Sequence, residues 1–254
     1  MKKWGLVSAM LILNACGARS PLPDMQPGEV GRVVKVLDGD ALILDTGQSV
    51  RLVAIEAPAL RPRGREPDPY AVESARALED MALGRQVQLY YPGLTRDRYD
   101  RALAHVVTID GAGPKLWLNR AMIELGAARV RLYPDTAARG QEFLTLENDV
   151  RAARTGLWGK RAYAVQEAAG VLDERGFMLL KGRLGAELPV DPEERYRPAC
   201  VRALQGAELR LEIRYDASTA CGLPDGTDIL VRGYVSNGAI DLTYPRHLEV
   251  IEHD

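Results

Sequence analysis

The chain has 254 residues, of which 46% are hydrophobic and 27% charged, a composition that excludes a disordered chain, a collagen-like repeat and a small disulfide-rich protein. Lys and Arg number 33 against 35 Asp and Glu, so the net charge of −2 excludes a strongly basic coat for nucleic acid over the whole chain. Residues 28–165 carry a net charge of +2 and residues 166–254 carry −6, so any site for a polyanion is expected in the first of these segments.

The first residues have the pattern of a secretory signal. Lys2 and Lys3 precede an apolar run over residues 5–13, which is shorter than the roughly 20 residues that cross a bilayer as a helix. The box Leu13-Asn14-Ala15-Cys16 resembles that of a bacterial lipoprotein signal, in which the cysteine is lipidated and becomes the new N-terminus. The alternative is a buried helix with an incidental cysteine, but helical periodicity and caps are absent.

This signal predicts an anchored protein of the bacterial cell envelope. We expect residues 1–15 to be removed, Cys16 to be lipidated, and residues 16–28, rich in Pro and Gly, to be a tether. The anchored protein would face the periplasm or the outside of the cell.

The other two cysteines, Cys200 and Cys221, lie in the last third of the chain. In an exported protein we expect them to form a disulfide, with two free thiols as the alternative. The histidines are scattered and there is no Cys-x-x-Cys pair, so structural zinc is not expected.

From residue 29 onward, the chain alternates short strands with helices. The β-branched runs, Gly-containing turns and helical spacings predict strands over residues 30–36, 41–45, 50–55, 86–91 and 102–109, and helices over 71–83, 118–125 and 142–154. Five short strands with intervening helices are compatible with a small closed barrel such as the OB fold.

The rest of the chain is rich in predicted strands. After a linker over residues 161–174, strands are predicted near residues 177–184, 209–215, 229–235 and 240–243. Residues 175–254 would form a smaller β-rich domain, for which a second OB-like barrel is one interpretation. No clear repeat relates the two parts of the sequence.

Carboxylates and arginines lie at the ends of three predicted strands of the first domain. Asp40 closes an Asp-Gly-Asp turn, Arg51 and Glu56 share a strand, and Arg101 begins another. Paired carboxylates suit a hard cation such as Ca²⁺, and paired guanidinium groups clamp phosphate oxygens. Each feature alone is weak evidence, since Asp-Gly is more often a simple turn and a strand arginine more often faces solvent.

The order and spacing of these residues resemble the staphylococcal nuclease (thermonuclease) family. That family shares an Asp-Gly-Asp turn, an Arg-Leu-x-x-Ile/Val-Asp-x-Pro-Glu strand, an Asp-x-Tyr-Gly-Arg-x-Leu-Ala strand and a glutamate-containing helix that ends in Gly-Leu-Trp. The matching residues, within about residues 29–160, are Asp38-Gly39-Asp40, Arg51-Leu52, Glu56-Ala57-Pro58, Asp97-Arg98-Tyr99-Asp100-Arg101, Leu125-Gly126-Ala127-Ala128-Arg129-Val130, and Glu147 with Gly156-Leu157-Trp158.

The resemblance implies an OB-type barrel with helices that binds Ca²⁺ and cleaves the phosphodiester backbone of DNA and RNA. The calcium-binding carboxylates of the family fall on Asp40 and Glu56. Its third protein ligand is a main-chain carbonyl and falls on Ala57, where the side chain matters less.

The resemblance also assigns residues to the substrate, which would be single-stranded DNA or RNA. The two catalytic arginines that clamp the phosphate fall on Arg51 and Arg101. Groups that line the nucleotide pocket fall near Arg98 and Tyr99.

One departure from the family concerns the residue after the proline. The family places there a glutamate that activates or positions the attacking water, and this chain has Ala59. Alanine cannot accept a proton, and loss of a general base typically costs roughly 10²–10⁴-fold in rate. Glu66 or Asp68, in the loop that follows, could take its place, although as loop residues they are more simply read as solvated charges.

Three functions therefore remain open. The first is an exported nuclease with weakened activity, supported by the retained carboxylates and arginines. The second is a binding module without catalysis, supported by Ala59 and the modest positive charge of the first domain. The third is an envelope scaffold whose acidic second domain binds a protein partner.

Overall fold

The computed structural model describes residues 20–60, 66–172, 174–190, 193 and 196–252. The predicted signal over residues 1–15 and the lipidation site Cys16 lie outside these residues. Within the described ranges, no helix is long and apolar enough to span a membrane. These residues form two successive five-stranded β-barrels, the first of which carries three α-helices.

The first barrel is closed in the strand order β1-β2-β3-β6-β5, with β3 and β6 parallel. Alternate apolar side chains such as Val33, Leu42, Leu52 and Leu89 fill its interior, because successive strand residues point to opposite faces. Its elements are β1 (Gln26–Asp38), β2 (Ala41–Leu44), β3 (Ser49–Leu52), β4 (Ile55–Glu56), α1 (Ala71–Ala82), β5 (Gln86–Tyr91), β6 (Ala102–Thr108), α2 (Leu118–Glu124), β7 (Arg129–Val130) and α3 (Gly140–Ala152).

The predicted barrel strands and helices are all present, but the strand expected over residues 50–55 is broken in two. The strand ends at Leu52, and Val53 and Ala54 form the break, where Ala54 has a positive φ of 63°. Asn119 fixes the break, because its buried amide donates to the carbonyl oxygen of Val53 at 2.9 Å and accepts from the amide of Val106 at 2.9 Å. The break turns β4 away from the barrel, and β4 then pairs with β7.

Part of the predicted tether packs on the first barrel instead of standing free. Leu22 and Met25 are buried against Tyr90 and Val107, and β1 already begins at Gln26. Within the described residues, the expectation of a tether over 16–28 therefore fails for 20–28, because two apolar side chains of this segment find a buried site.

The second barrel repeats the strand order of the first. Its strands run β9-β10-β11-β13-β12, with β12 pairing back to β9 and with β11 and β13 parallel. The OB-like interpretation of the last domain is therefore correct. Its elements, with two flanking strands, are β8 (Gln166–Glu167), β9 (Gly176–Leu188), β10 (Cys200–Leu204), β11 (Arg210–Ile213), β12 (Asp228–Ser236), β13 (Ala239–Leu242) and β14 (Leu248–Val250).

Cys200 and Cys221 form a disulfide that ties β10 to the 3-10 segment Tyr215–Gly222, with Cα atoms 6.1 Å apart. Replacing both cysteines with alanine is expected to lower the free energy of unfolding by about 3 kcal/mol, because the closed loop restricts the unfolded chain. Urea unfolding with and without a reductant measures the loss. The reductant should destabilise the wild-type chain and leave the variant unchanged, and equal midpoints for the wild type in both conditions would contradict the prediction.

A buried network of polar contacts joins the two barrels. Glu147 of α3 and Arg232 of β12 are 0% and 2% exposed and form an ion pair. Glu147 also accepts from the amide of Val130 at 2.6 Å, and Arg232 donates to the carbonyl oxygen of Val130 at 3.3 Å. The amide of Leu132 donates to His247 Nε2 at 2.9 Å. The second barrel therefore holds residues 130–132 of the first.

Candidate nucleic-acid site

The predicted carboxylates and arginines surround one cavity, the site cavity, of about 520 Å³ on the first barrel. It lies where β3, β4 and the segments before β6 and after β7 meet. Its charged lining residues are Asp38, Arg51, Glu56, Asp97, Arg101, Arg131 and Asp135.

Asp40 lies behind the cavity wall and holds Arg51. The Asp40 carboxylate is 1% exposed, pairs with the Arg51 guanidinium and accepts the amide of Ala57 at 2.6 Å. Burial alone would lower the pKa of Arg51, but Asp40, Glu56 and Asp38 raise it above its ordinary value. Arg51 therefore keeps its positive charge, and its partly exposed side chain lines the cavity.

The close approach of the Asp-Gly-Asp turn to α1 requires glycine at residue 39. A Cβ atom on Gly39 would lie 1.9 Å from Ser74 Oγ and 2.7 Å from the Ala57 Cβ. Ser74 is itself fixed, because its hydroxyl donates to the carbonyl oxygen of Ala127 at 2.6 Å. Glycine thus lets the turn bring Asp40 up to the chain that follows β4.

Glu56 forms an ion pair with Arg131. The pairing of β4 with β7, which sets Glu56 opposite Arg129, brings the two side chains together across the strands. The Arg131 guanidinium also lies 5.1 Å from the centroid of the Tyr133 ring and 5.2 Å from that of Phe177, a residue of the second barrel. Arg131 therefore adds a third guanidinium to the cavity, held partly by the C-terminal domain.

Arg101 enters the cavity from the segment before β6. Its guanidinium pairs with Asp97 at 2.7 Å and lies 5.7 Å from the centroid of the Tyr99 ring. Burial alone would raise the pKa of Asp97, but the amides of Arg101 and Tyr99 and the Arg101 guanidinium lower it below its ordinary value. The pair is thus charged at neutral pH.

Arg98 and Tyr99, which the resemblance assigns near the nucleotide pocket, lie outside the cavity wall. Both are exposed, and the Arg98 guanidinium lies 4.8 Å from the centroid of the Tyr99 ring. Tyr99 reaches the cavity only through its contact with Arg101. Their role in substrate binding stays a prediction.

Ala59 lines the cavity beside Glu56 and Ala57. Its amide donates to Asp68 Oδ2 at 3.1 Å and its carbonyl oxygen accepts the Asp68 amide at 3.0 Å. The Asp68 carboxylate therefore holds the backbone of Ala59, and neither Asp68 nor the exposed Glu66 is among the described residues that line the cavity. Neither supplies a carboxylate there in place of the missing glutamate.

The charge around the cavity suits a bound cation. Four lining carboxylates face three arginines, which leaves the lining negative without Asp40. Burial raises the pKa of the Asp40 carboxyl well above its ordinary value, against the opposing effect of Arg51. Asp40, Glu56 and the carbonyl of Ala57 are the oxygen donors that Ca²⁺ accepts, with water completing the shell. In the described part of the chain, however, no three His, Cys, Asp or Glu side chains are grouped to hold a metal. The protein ligands therefore fit Ca²⁺ in kind and charge but are few.

Arg131 and Tyr133 also line the cavity, and neither is predicted from the sequence. The resemblance included the segment that ends at Val130, immediately before Arg131, so the available signal was its alternation of arginine and apolar residues. That alternation alone did not indicate which arginine faces the cavity, because the answer depends on the pairing of β4 with β7.

The first barrel is similar in sequence to known nucleases. Residues 49–160 match the family described as Staphylococcal nuclease homologue. An uncharacterized endonuclease of Escherichia coli is 34% identical over 131 residues, 50% of this chain and 76% of that protein. A probable endonuclease of Phaeosphaeria nodorum is 32% identical over 143 residues, 53% of this chain and 46% of the relative. A thermonuclease of Staphylococcus hyicus is 23% identical over 130 residues, 50% and 74% of the two chains.

Proposed function

This chain belongs to the staphylococcal nuclease family, and we propose that it is an exported, lipid-anchored nuclease that binds single-stranded DNA or RNA in the site cavity and hydrolyses it slowly. The observation that carries the proposal is the convergence of Arg51, Arg101 and Arg131 on one cavity beside Glu56. The lipoprotein-like box that ends at Cys16 supports attachment to the cell envelope. The names of the relatives, endonuclease and thermonuclease, support a nucleic-acid substrate.

The three arginines would bind and orient the scissile phosphate. Each guanidinium is anchored by a carboxylate and keeps donors for the phosphate oxygens, and the anchoring fixes the donors before the substrate arrives. Preorganised donors stabilise the charge that develops on the phosphate in the transition state. Because Ala59 supplies no base, water would attack without deprotonation by a side chain at this position, and hydrolysis would be slow.

Calcium is part of the proposal as the cation that offsets the excess negative charge of the cavity. Asp40, Glu56 and the carbonyl of Ala57 would hold it. A bound Ca²⁺ would supply positive charge that polarises the phosphate. Since Arg51 and Arg131 already pair with the two carboxylates, the cation would share these ligands with the arginines.

Replacing Arg101 with alanine is expected to lower the cleavage rate by roughly 10²–10³-fold, the usual cost of one preorganised donor. Arg101 is 37% exposed, so the fold should survive the loss of its side chain. Initial rates on a fluorescent single-stranded oligonucleotide, with Ca²⁺ or with a chelator, give the measurement on the chain from residue 17 onward.

The matched control is Arg76→Ala, which removes an exposed arginine from α1, outside the cavity. Arg51→Lys tests the second arginine while keeping a charge beside the buried Asp40, and it should also slow cleavage. If neither Arg101→Ala nor Arg51→Lys changes the cleavage rate, the observed cleavage comes from a contaminating nuclease and the proposal fails.

The second candidate function is nucleic-acid binding without hydrolysis, and Ala59 favours it. A chain that binds the oligonucleotide through Arg101 but does not cut it, with or without Ca²⁺, would establish this function. If the chain neither binds nor cuts the oligonucleotide, its function would be that of an envelope scaffold. Its acidic second barrel would then be the surface that binds a protein partner.

A further inference from the structure

We propose that the chain has a second phosphate-binding site, separate from the site cavity, where α3 ends. The site is a cavity of about 490 Å³, here called the basic cavity, and its cationic lining residues are Arg151, Arg154, Lys160 and Arg161. The phosphate would belong to a nucleic-acid strand or to a free polyphosphate, because the two present the same oxygens to the site.

The charge of the basic cavity is all of one sign. Its lining holds four cations and, among the described residues, no carboxylate. Arg154, Lys160 and Arg161 are exposed and form no ion pair with any described residue. Most other arginines of the first barrel are paired, so this concentration of unneutralised charge sets the basic cavity apart. Such a cavity attracts and holds anions.

The local chain course brings these cations together. Arg151 lies in the last turn of α3, where a cation favours the negative end of the helix dipole. That role accounts for Arg151 but not for Arg154, Lys160 and Arg161, which lie beyond the helix. The 3-10 segments Gly156–Gly159 and Arg161–Tyr163 fold these residues back around the basic cavity.

Two buried donors beside the basic cavity have no acceptor. Arg151 Nη1 and Trp158 Nε1 are inaccessible to solvent and lack a hydrogen-bond partner among the described residues, although both side chains line this cavity. Buried donors are nearly always paired in folded proteins, because an unpaired one costs about 1–3 kcal/mol. A phosphate has enough acceptor oxygens to pair with both, and it would reach these enclosed donors once the side chains that cover them shift on binding.

A further cation lies beneath the wall of the basic cavity. The Arg129 guanidinium is 4.9 Å from the centroid of the ring of Tyr163, one of the lining residues. Arg129 is 8% exposed and donates to the carbonyl oxygen of Phe177 at 2.6 Å. Burial lowers the pKa of Arg129, while the nearby carboxylates of Glu56 and Glu147 raise it, so its charge is partly offset and the positive potential of the basic cavity rests on the four lining cations.

The concave shape favours a discrete phosphate group over a membrane surface. A patch that binds anionic lipids presents its cations on an exposed face of the protein, whereas these four surround a recess. Membrane binding through the same residues is therefore the outcome that would overturn the proposal.

The test measures pyrophosphate binding by calorimetry and by tryptophan emission on the chain from residue 17 onward. The triple variant Arg154→Gln, Lys160→Gln, Arg161→Gln should raise the Kd for pyrophosphate by roughly tenfold or more, because it removes charge-assisted hydrogen bonds. Pyrophosphate should change the tryptophan emission of the wild type but not that of Trp158→Phe, and this difference would place the bound pyrophosphate in the basic cavity. The matched control is a second triple variant, Lys35→Gln, Arg76→Gln, Lys115→Gln. It removes the same number of positive charges from exposed residues outside the basic cavity.

A single-stranded oligonucleotide distinguishes the sources of the phosphate. If a strand supplies it, the slope of log K against log salt should become shallower by about 2 in the triple variant, at roughly 0.7 for each lost contact. Pyrophosphate binding that changes in the triple variant while oligonucleotide binding stays constant assigns the site to free polyphosphate.

Three results would overturn the proposal. They are equal pyrophosphate affinity in the triple variant and its control, loss of all pyrophosphate binding in Arg101→Ala, and binding of phosphatidylglycerol vesicles through these residues without pyrophosphate binding. Absence of oligonucleotide cleavage would count against the proposed nuclease function only, because the basic cavity holds none of the residues assigned to hydrolysis.

Discussion

Replacing Ala59 with glutamate is expected to raise the rate of oligonucleotide cleavage by roughly 10²–10⁴-fold, the usual contribution of a general base. Ala59 lines the site cavity together with Arg51, Glu56 and Arg101, so a carboxylate on its side chain would start within the cavity. This is also the position at which the family resemblance expects a glutamate.

The backbone of Ala59 is fixed well enough to aim the new side chain. Asp68 holds both its amide and its carbonyl oxygen through hydrogen bonds of 3.1 and 3.0 Å. Ala59 is also partly exposed, so the longer side chain has solvent and cavity to occupy and does not enter the core. We therefore expect the variant to fold like the wild type.

Ala59→Gln is the matched control, because it adds the same number of side-chain atoms without a group that accepts a proton at neutral pH. The rate of Ala59→Glu should rise with pH through the pKa of the new carboxyl, and that of Ala59→Gln should not. Equal rates for the two variants would mean that the missing base does not limit this protein. Inactivity of both, with oligonucleotide binding intact, would favour the binding function.

An element of the fold can be predicted from the sequence when the interactions that form it are local. The strand over residues 86–91 and the start of the helix at residue 71 appear as predicted, because alternation and helical spacing are properties of the segment itself. β10 is not predicted from the sequence, because its central residue is a buried arginine, Arg202, which is 3% exposed. Its guanidinium forms an ion pair with Asp225 and donates to the carbonyl oxygens of Gly185 and Leu223, contacts that no local pattern contains.

The same distinction holds for the candidate site. Arg51, Glu56 and Arg101 could be predicted because each lies in a short motif with a fixed place on a strand or immediately before one. Arg131 could not, because its place depends on the pairing of β4 with β7 and on Phe177 of the other barrel. The second barrel, which the sequence left without a role, thus contacts a residue of the first barrel's cavity.

Breaking the contact between the barrels is expected to lower the stability of the protein substantially. Replacing Arg232 with methionine is expected to lower the free energy of unfolding by about 3–5 kcal/mol, because it leaves the fully buried Glu147 without its charged partner. Among the residues that the structure describes, Glu147 would keep the amide of Val130 as its hydrogen-bond donor. Urea unfolding followed by circular dichroism measures the loss.

The double variant Glu147→Leu, Arg232→Met separates the cost of a lone charge from that of lost packing. Removing both charges avoids the unpaired carboxylate, so the double variant should be more stable than Arg232→Met alone. The control is Arg120→Met, which breaks exposed pairs with Glu124 and Glu142 and should change stability by no more than about 1 kcal/mol.

The shape of the unfolding curve tests whether this network couples the barrels. In the wild type, the buried pair and the hydrogen bonds to residues 130–132 join the barrels, so one cooperative transition is expected. In Arg232→Met the second barrel, which keeps its disulfide, should unfold separately from the first, and two transitions should appear. A loss below about 1 kcal/mol with a single unchanged transition would show that the network does not join the barrels energetically.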